Sequence, residues 1–142
     1  MVGAMWPEAV ERIAIFLRAS GVEGRLEELL DDAERPPGML LDVSTFECSS
    51  GALVTLVPAG RSVDEEKVAR AAGCTNLRRA GAREFPFQGA KVLLDRAALT
   101  APTVWLDLGS PRHLLGLAPG QLAHLTGAET PDLLTEGQNG GG

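Results

Sequence analysis

Two apolar segments rich in β-branched residues, residues 40–47 and 52–57, are separated by little more than Ser49-Ser50-Gly51. Such a short connection only lets the second strand fold back on the first, because a parallel crossover needs a dozen or more residues. The sequence therefore predicts an antiparallel hairpin in the middle of the chain. This hairpin is the strongest constraint on the fold, since neighbouring elements must join its sheet or cover it.

Helices and further strands alternate around the hairpin. The clearest helix is residues 62–73, where Ser62 or Asp64 provides the N-cap and Gly73 ends the run. Other helices are predicted to begin near Trp6 and at residues 119–126, and other strands at residues 25–30, 91–95, 103–108 and 114–117. Several strands are joined by links too short for a parallel crossover. We therefore expect one α+β domain over residues 1–134, with a curved, mixed and largely antiparallel sheet flanked by helices, and a flexible tail over residues 135–142.

The expected core comes from the densest apolar alternation in the predicted strands. Six residues on these strands are assigned to it: Val54, Leu56, Val92, Leu94, Val104 and Leu106.

The charge of the chain limits its partners. The net charge is −6 over 142 residues, which argues against DNA or RNA binding through a broad basic surface. A small pocket that reads only the end of a nucleic acid is still compatible with this charge. No apolar run is long enough to cross a bilayer, and the first residues lack the apolar core of a signal peptide. We therefore expect a cytoplasmic protein with no membrane partner.

The sequence has no strong catalytic signature. Dinucleotide and P-loop glycine patterns, a nucleophile elbow and metal-ligand spacing are all absent, so neither a cofactor nor a metal is expected. Gly109 and Ser110 follow a predicted buried strand and have backbone N–H groups suited to an oxyanion, although turn chemistry explains the same residues. His113 follows this turn and is better placed for function than His124.

Two further groups have competing interpretations. Phe85 and Phe87 flank a proline. They either line a pocket or fill one end of the core, and we favour the second interpretation. Arg78, Arg79 and Arg83 form the basic cluster, which either meets phosphates or, again the favoured interpretation, is a solvated face.

Several stretches, taken in order, are similar to one known family. They are ASGVEG after the first helix, LVPAGRSVDEEKVARAAG after the hairpin, and PTVWLDLGSPRHLLGLAPGQLAHLTGA near the end. The chain resembles the YbaK/prolyl-tRNA-synthetase-associated domain family, whose members hydrolyse mischarged aminoacyl-tRNA in trans. The resemblance implies that family's fold and the aminoacyl-tRNA 3′ end as partner. It also implies a site in which the Gly109-Ser110 turn stabilises an oxyanion.

The departures from the family fall where its chemistry occurs. The family lysine that contacts substrate lies four residues before an aromatic or aliphatic residue, and counting back from Phe46 places Asp42 there. The Gly-Gly-x-x-Pro loop of the family is reduced here to AREFPFQGAK. The resemblance assigns catalytic positions to Asp42, Gly109 and Ser110, and its substrate-binding positions are Phe46, Phe85, Phe87 and His113. We expect the Asp42 carboxylate to border one cavity with the Gly109-Ser110 turn and residues 85–89.

Three functions agree with these residues. The first is an editing deacylase that hydrolyses mischarged aminoacyl-tRNA with an altered site. The second is a non-catalytic relative that binds an amino acid, a tRNA end or a protein partner. The third is a hydrolase for another substrate with Asp42 as general base, which no other residue supports.

Overall fold

The computed structural model describes residues 8–21, 25–28, 38–81, 83, 85, 87–107 and 113–135. The helices are α1 (Glu8–Ser20), α2 (Glu65–Ala72) and α3 (Pro119–Thr126), with a 3-10 helix at Arg96–Thr100. The strands are β1 (Arg25–Glu28), β2 (Met39–Cys48), β3 (Gly51–Pro58), β4 (Arg78–Arg79), β5 (Lys91–Leu94), β6 (Val104–Asp107) and β7 (His113–Leu117). The predicted helices and strands are found in the predicted order, and β4, which the sequence did not predict, is added between α2 and β5. No helix within the described part of the chain is both long enough and apolar enough to span a membrane.

The strands form one mixed sheet in the order β1-β7-β6-β2-β3-β5, and β4 pairs with β2 beside this path. The β2–β3, β2–β4, β6–β7 and β1–β7 pairs are antiparallel, whereas β2–β6 and β3–β5 are parallel. The long strand β2 joins the two halves, because its beginning pairs with β6 and its end pairs with β4. The predicted α+β domain with a largely antiparallel mixed sheet is confirmed.

The two faces of the sheet bury separate hydrophobic clusters. Along β3 the side chains alternate, so that Val54 and Leu56 join one cluster and Leu53 and Val57 join the other. The first cluster lies against α1 and α3, and the second packs under α2 through Val68. All six predicted core residues belong to the first cluster and are at most 1 % exposed, which confirms that assignment.

The second helix, α2, is fixed at both ends by the signals seen in the sequence. The Asp64 carboxylate accepts hydrogen bonds from the backbone N–H groups of Glu66 (3.0 Å) and Lys67 (3.3 Å), so Asp64 and not Ser62 is the N-cap. Gly73 ends the helix with φ of 67°, a left-handed conformation that favours glycine.

Residues 129–135, called the closing segment below, return across the end of the β3–β5 pair. The Leu133 backbone N–H donates to Asp95 Oδ1 (2.7 Å), and the Asp64 N–H donates to the Leu133 carbonyl (2.8 Å). Asp95 is 1 % exposed and also accepts from the Ala97 N–H, which caps the 3-10 helix. The closing segment therefore ties the start of α2 to the end of β5.

Trp105 fills a gap left by two glycines on the neighbouring chain segments. A Cβ atom on Gly116, its partner on β7, would lie 2.6 Å from Trp105 Cζ3, and one on Gly38 would lie 2.7 Å from Nε1. Real Cβ atoms do not approach other heavy atoms this closely. The buried indole therefore depends on the missing side chains at both positions.

Thr55, in the middle of β3, is fully buried, and its Oγ1 has no hydrogen-bond partner among the described residues. Because an unpaired buried hydroxyl is destabilising, we expect Thr55→Val to raise the free energy of unfolding by about 1 kcal/mol. The matched control is Thr45→Val, because Thr45 is also buried in a strand but its hydroxyl is not among the buried, unpaired groups. Urea denaturation of both variants tests this. A loss of stability in Thr55→Val would show that the hydroxyl is paired.

Candidate functional site

Asp42, which the resemblance assigns to the position of the family lysine, is exposed on β2 and accepts a hydrogen bond from the chain's own backbone. Its Oδ2 accepts a hydrogen bond of 3.2 Å from the N–H of Gly60, in the turn after β3. The same turn is held by the Ala59 N–H, which donates to the Leu40 carbonyl (2.9 Å). A lysine ammonium has three donors and no acceptor, so it cannot make the Asp42 bond. The turn is therefore adapted to a carboxylate at position 42.

Asp42 lies just beyond the part of β2 that pairs with β6. The β2–β6 pairing ends at Leu40 and Trp105, two residues before Asp42 on β2 and two before Asp107, the last residue of β6. Residues two apart on a strand share a face, so Asp42 and Asp107 both lie on the Trp105 face of the sheet.

Gly109 and Ser110 lie outside the described residues. His113 begins β7, where its backbone pairs with Glu28, and its side chain also lies outside the described part. Their assignments as oxyanion donors and substrate contact remain predictions.

Phe46 shares the Asp42 face of β2 but is fully buried in the cluster under α2. The Arg79 guanidinium covers its ring at 5.0 Å from the centroid and pairs with Glu65 at 3.4 Å. Arg78 is 77 % exposed and lies 3.8 Å from Glu47. The basic cluster therefore forms a solvated, ion-paired face at Arg78 and Arg79, as favoured from the sequence.

Phe85 and Phe87 are buried in the first cluster, on the other side of the sheet from Phe46. Their rings meet edge to face at 5.8 Å between centroids, and Phe16 of α1 contacts Phe85 in the same way at 6.0 Å. The two rings therefore plug the core, which agrees with the favoured interpretation. The structure does not bring their side chains to the face that carries Asp42.

The backbone of Phe87 is strained. Its φ is 63°, and it is the single non-glycine residue with positive φ in the described part of the chain. A bulky residue keeps this conformation only where its surroundings impose it, at a cost of about 1–3 kcal/mol. Phe87 lies between β4 and β5, and no local sequence pattern marks its conformation.

Cys48 and Cys74, 26 positions apart in the sequence, become neighbours where β2 ends beside the end of α2. The Cys74 thiol lowers the pKa of Cys48, and burial raises the pKa of Cys74. Both are free thiols. Their proximity follows from the pairing of β4 with β2, which the sequence did not predict.

The fold is shared with several solved structures. One is a scaffold from a study of computational epitope grafting, with TM-score 0.75 and 25 % identity over 92 % of this chain and 99 % of that one. Another is a proposed trans-editing enzyme for prolyl tRNA synthetase, with TM-score 0.75 and 23 % identity over the same shares. A hypothetical protein matches with TM-score 0.72 and 18 % identity over 90 % of this chain and 100 % of that one.

No family model matches the sequence, and no curated protein does. The structural matches nevertheless span nearly the whole of each chain, so they concern the complete domain and not one shared motif. The chain therefore has the YbaK-like α+β fold that these structures share. The resemblance seen in the sequence is confirmed at the level of the fold.

Proposed function

We propose that this chain is a cytoplasmic aminoacyl-tRNA editing protein that receives the aminoacylated 3′ end of tRNA and hydrolyses its ester with an altered site. The observation that carries the proposal is the full-length match to a proposed trans-editing enzyme. The β2–β6 pairing supports it, because the strand that carries Asp42 lies beside the strand that precedes Gly109 and Ser110 in the sequence.

In the proposed reaction a bound water attacks the ester carbonyl carbon. The electron pair of the carbonyl moves to its oxygen, and backbone N–H groups at Gly109 and Ser110 stabilise that oxyanion. Collapse of the intermediate breaks the bond to the 3′ oxygen, which takes a proton from the attacking water, and releases the free amino acid and the tRNA 3′ hydroxyl. The Asp42 carboxylate repels phosphate but attracts the ammonium group of the aminoacyl moiety. We therefore propose that Asp42 contacts the amino acid end of the substrate and not its phosphate.

The remaining assigned positions shape this site from the core. Phe46 lies on the same face of β2 as Asp42, and Phe85 and Phe87 pack in the first cluster on the other face of the sheet. His113 begins the strand after the proposed oxyanion turn. We propose that the three phenylalanines act through the backbone that they anchor, since their side chains are buried.

A second candidate is a binding module without hydrolytic activity. The observation that favours it is the Asp42–Gly60 hydrogen bond, because the turn at the lysine position is built around an acceptor. Such a module would retain recognition of an amino acid, a tRNA end or a protein partner.

The experiment that tests recognition compares two acceptor-stem RNAs that differ only at the 3′ end. One carries an amino acid in a stable amide link, and the other is uncharged. We expect the charged RNA to bind several-fold more tightly, since the site holds the aminoacyl group. Equal affinity for the two RNAs, or no binding of either, would contradict both the editing proposal and the tRNA-end form of the module.

The charge at position 42 provides a second prediction. We expect Asp42→Lys to raise affinity for the uncharged acceptor stem by about tenfold or more, because this RNA has no ammonium group and the substitution replaces a charge that repels phosphate with one that attracts it. The matched control is Asp42→Asn, which removes the charge but keeps an oxygen acceptor for Gly60. Its effect should be intermediate in fluorescence-anisotropy titrations. Unchanged affinity in both variants would place Asp42 outside the RNA site.

A further inference from the structure

A cavity lies between the turn after β3, the helix α2, the 3-10 helix and the closing segment. It has a volume of about 470 Å³, within the range of small-molecule sites. Its charged lining consists of three cations, Arg61, Lys67 and Arg96, and two carboxylates, Asp95 and Asp132. This basic cavity has a net positive lining in a chain whose net charge is −6.

Both carboxylates of the basic cavity are already engaged by the protein. Asp95 is buried, and its two oxygens accept from the N–H groups of Leu133 (2.7 Å) and Ala97 (2.9 Å). Asp132 Oδ2 accepts from Lys67 Nζ at 2.8 Å and lies 3.8 Å from Arg96 Nη2. The hydrogen bond from Lys67 lowers the pKa of Asp132 below its ordinary value. Asp132 therefore remains ionised, and its negative charge is already paired with Lys67 and Arg96.

Arg61 has no such acceptor. Its Nε is buried without a hydrogen-bond partner, and no carboxylate pairs with its guanidinium in the described part of the chain. A buried donor on a charged group is costly to leave unpaired, so this arrangement indicates a missing anionic acceptor. Arg61 directly follows Gly60, whose N–H is held by Asp42, and this bond fixes the start of the turn.

We propose that the basic cavity binds a phosphate group, with Arg61 as its principal ligand and Arg96 and Lys67 adding positive charge. The planar fork of an arginine matches two phosphate oxygens, and charge-assisted bonds of this kind are among the strongest in proteins. The volume of about 470 Å³ leaves room for an organic group attached to the phosphate, so the class of ligand that we propose is a phosphate ester such as a nucleotide. The lining of this cavity includes none of the positions assigned to the proposed ester-hydrolysing site.

The test is an amide NMR titration of the chain with inorganic phosphate, adenosine 5′-monophosphate and adenosine. We expect the phosphate-bearing ligands to shift the backbone amides of Arg61, Ala97 and Thr135 in a saturable way, and the monophosphate to bind at least tenfold more tightly than adenosine. Arg61→Met should weaken binding of the monophosphate at least tenfold, because it removes the unpaired donors. The matched control is Arg78→Met, an exposed arginine away from the cavity, which should leave the affinity unchanged.

Two outcomes would overturn the proposal: no saturable shift at those amides, or equal affinity in Arg61→Met and the unaltered chain. If Arg61→Met does not fold, Arg96→Met replaces it with the same expectation, since Arg96 is exposed. Titration with uncharged acceptor-stem RNA distinguishes the source of the phosphate. A parallel loss of RNA affinity in Arg61→Met assigns the site to the RNA backbone, and unchanged RNA affinity assigns it to a free phosphate ester.

Discussion

Trp105→Ala is expected to lower the free energy of unfolding by about 3–5 kcal/mol, the range for truncating a large buried aromatic residue. The indole is 2 % exposed and lies over Gly116 and beside Gly38. Neither glycine has a side chain that can move into the space, so the cavity left by the indole cannot close by repacking at these positions. Urea denaturation followed by circular dichroism measures the loss.

The glycine opposite the indole provides the matched control. Gly116→Ala alone should destabilise the protein, because its Cβ would overlap Trp105. In the Trp105→Ala background the same change should cost much less, and the difference is the coupling between the two residues. A loss below about 1 kcal/mol for Trp105→Ala, or equal costs of Gly116→Ala in both backgrounds, would contradict this packing.

The parts of the fold that could be predicted have local causes. The turn at Ser49-Ser50 permits only an antiparallel return, and Asp64 and Gly73 mark the ends of α2 with residues that suit those backbone positions. Strand β3 could be recognised because it is buried on both faces, which gives a continuous apolar run. Each of these features depends on residues close together in the sequence.

The features that could not be predicted depend on pairing across the chain. The parallel contact between β2 and β6 joins residues more than 60 positions apart, and nothing local indicates it. The same is true of the closing segment, whose Leu133 bonds Asp95. The partner of Asp42 is a backbone N–H 18 residues away. Position 42 could be identified from the sequence as unusual, but what its carboxylate does could not.

The phenylalanine pair shows a similar limit. The sequence allowed Phe85 and Phe87 to line a pocket or fill the core, because periodicity does not distinguish the two faces in a short irregular segment. The contact between Phe85 and Phe16 of α1 places the pair in the core. The positive φ of Phe87 has no sequence signal, since such strain is imposed by tertiary packing.

The purified chain is expected to hydrolyse mischarged aminoacyl-tRNA at least about a hundredfold more slowly than a relative with the family lysine. Loss of one preorganised donor at a developing charge typically has an effect of this size. Here the donor is replaced by Asp42, a carboxylate that already accepts from Gly60, and the neighbouring loop lacks the family's paired glycines. Asp42→Lys should improve RNA binding without restoring full hydrolysis, since that loop is still altered.

The measurement that tests the central claim most directly is single-turnover deacylation of a panel of mischarged tRNAs, with the chain and a lysine-bearing relative assayed side by side. The control is Asp42→Asn, which keeps the acceptor for Gly60 but lacks the negative charge. If the chain has an editing site altered at Asp42, we expect its deacylation rate to be about a hundredfold or more below that of the relative for every tRNA in the panel. Turnover equal to that of the relative on any mischarged tRNA would contradict it.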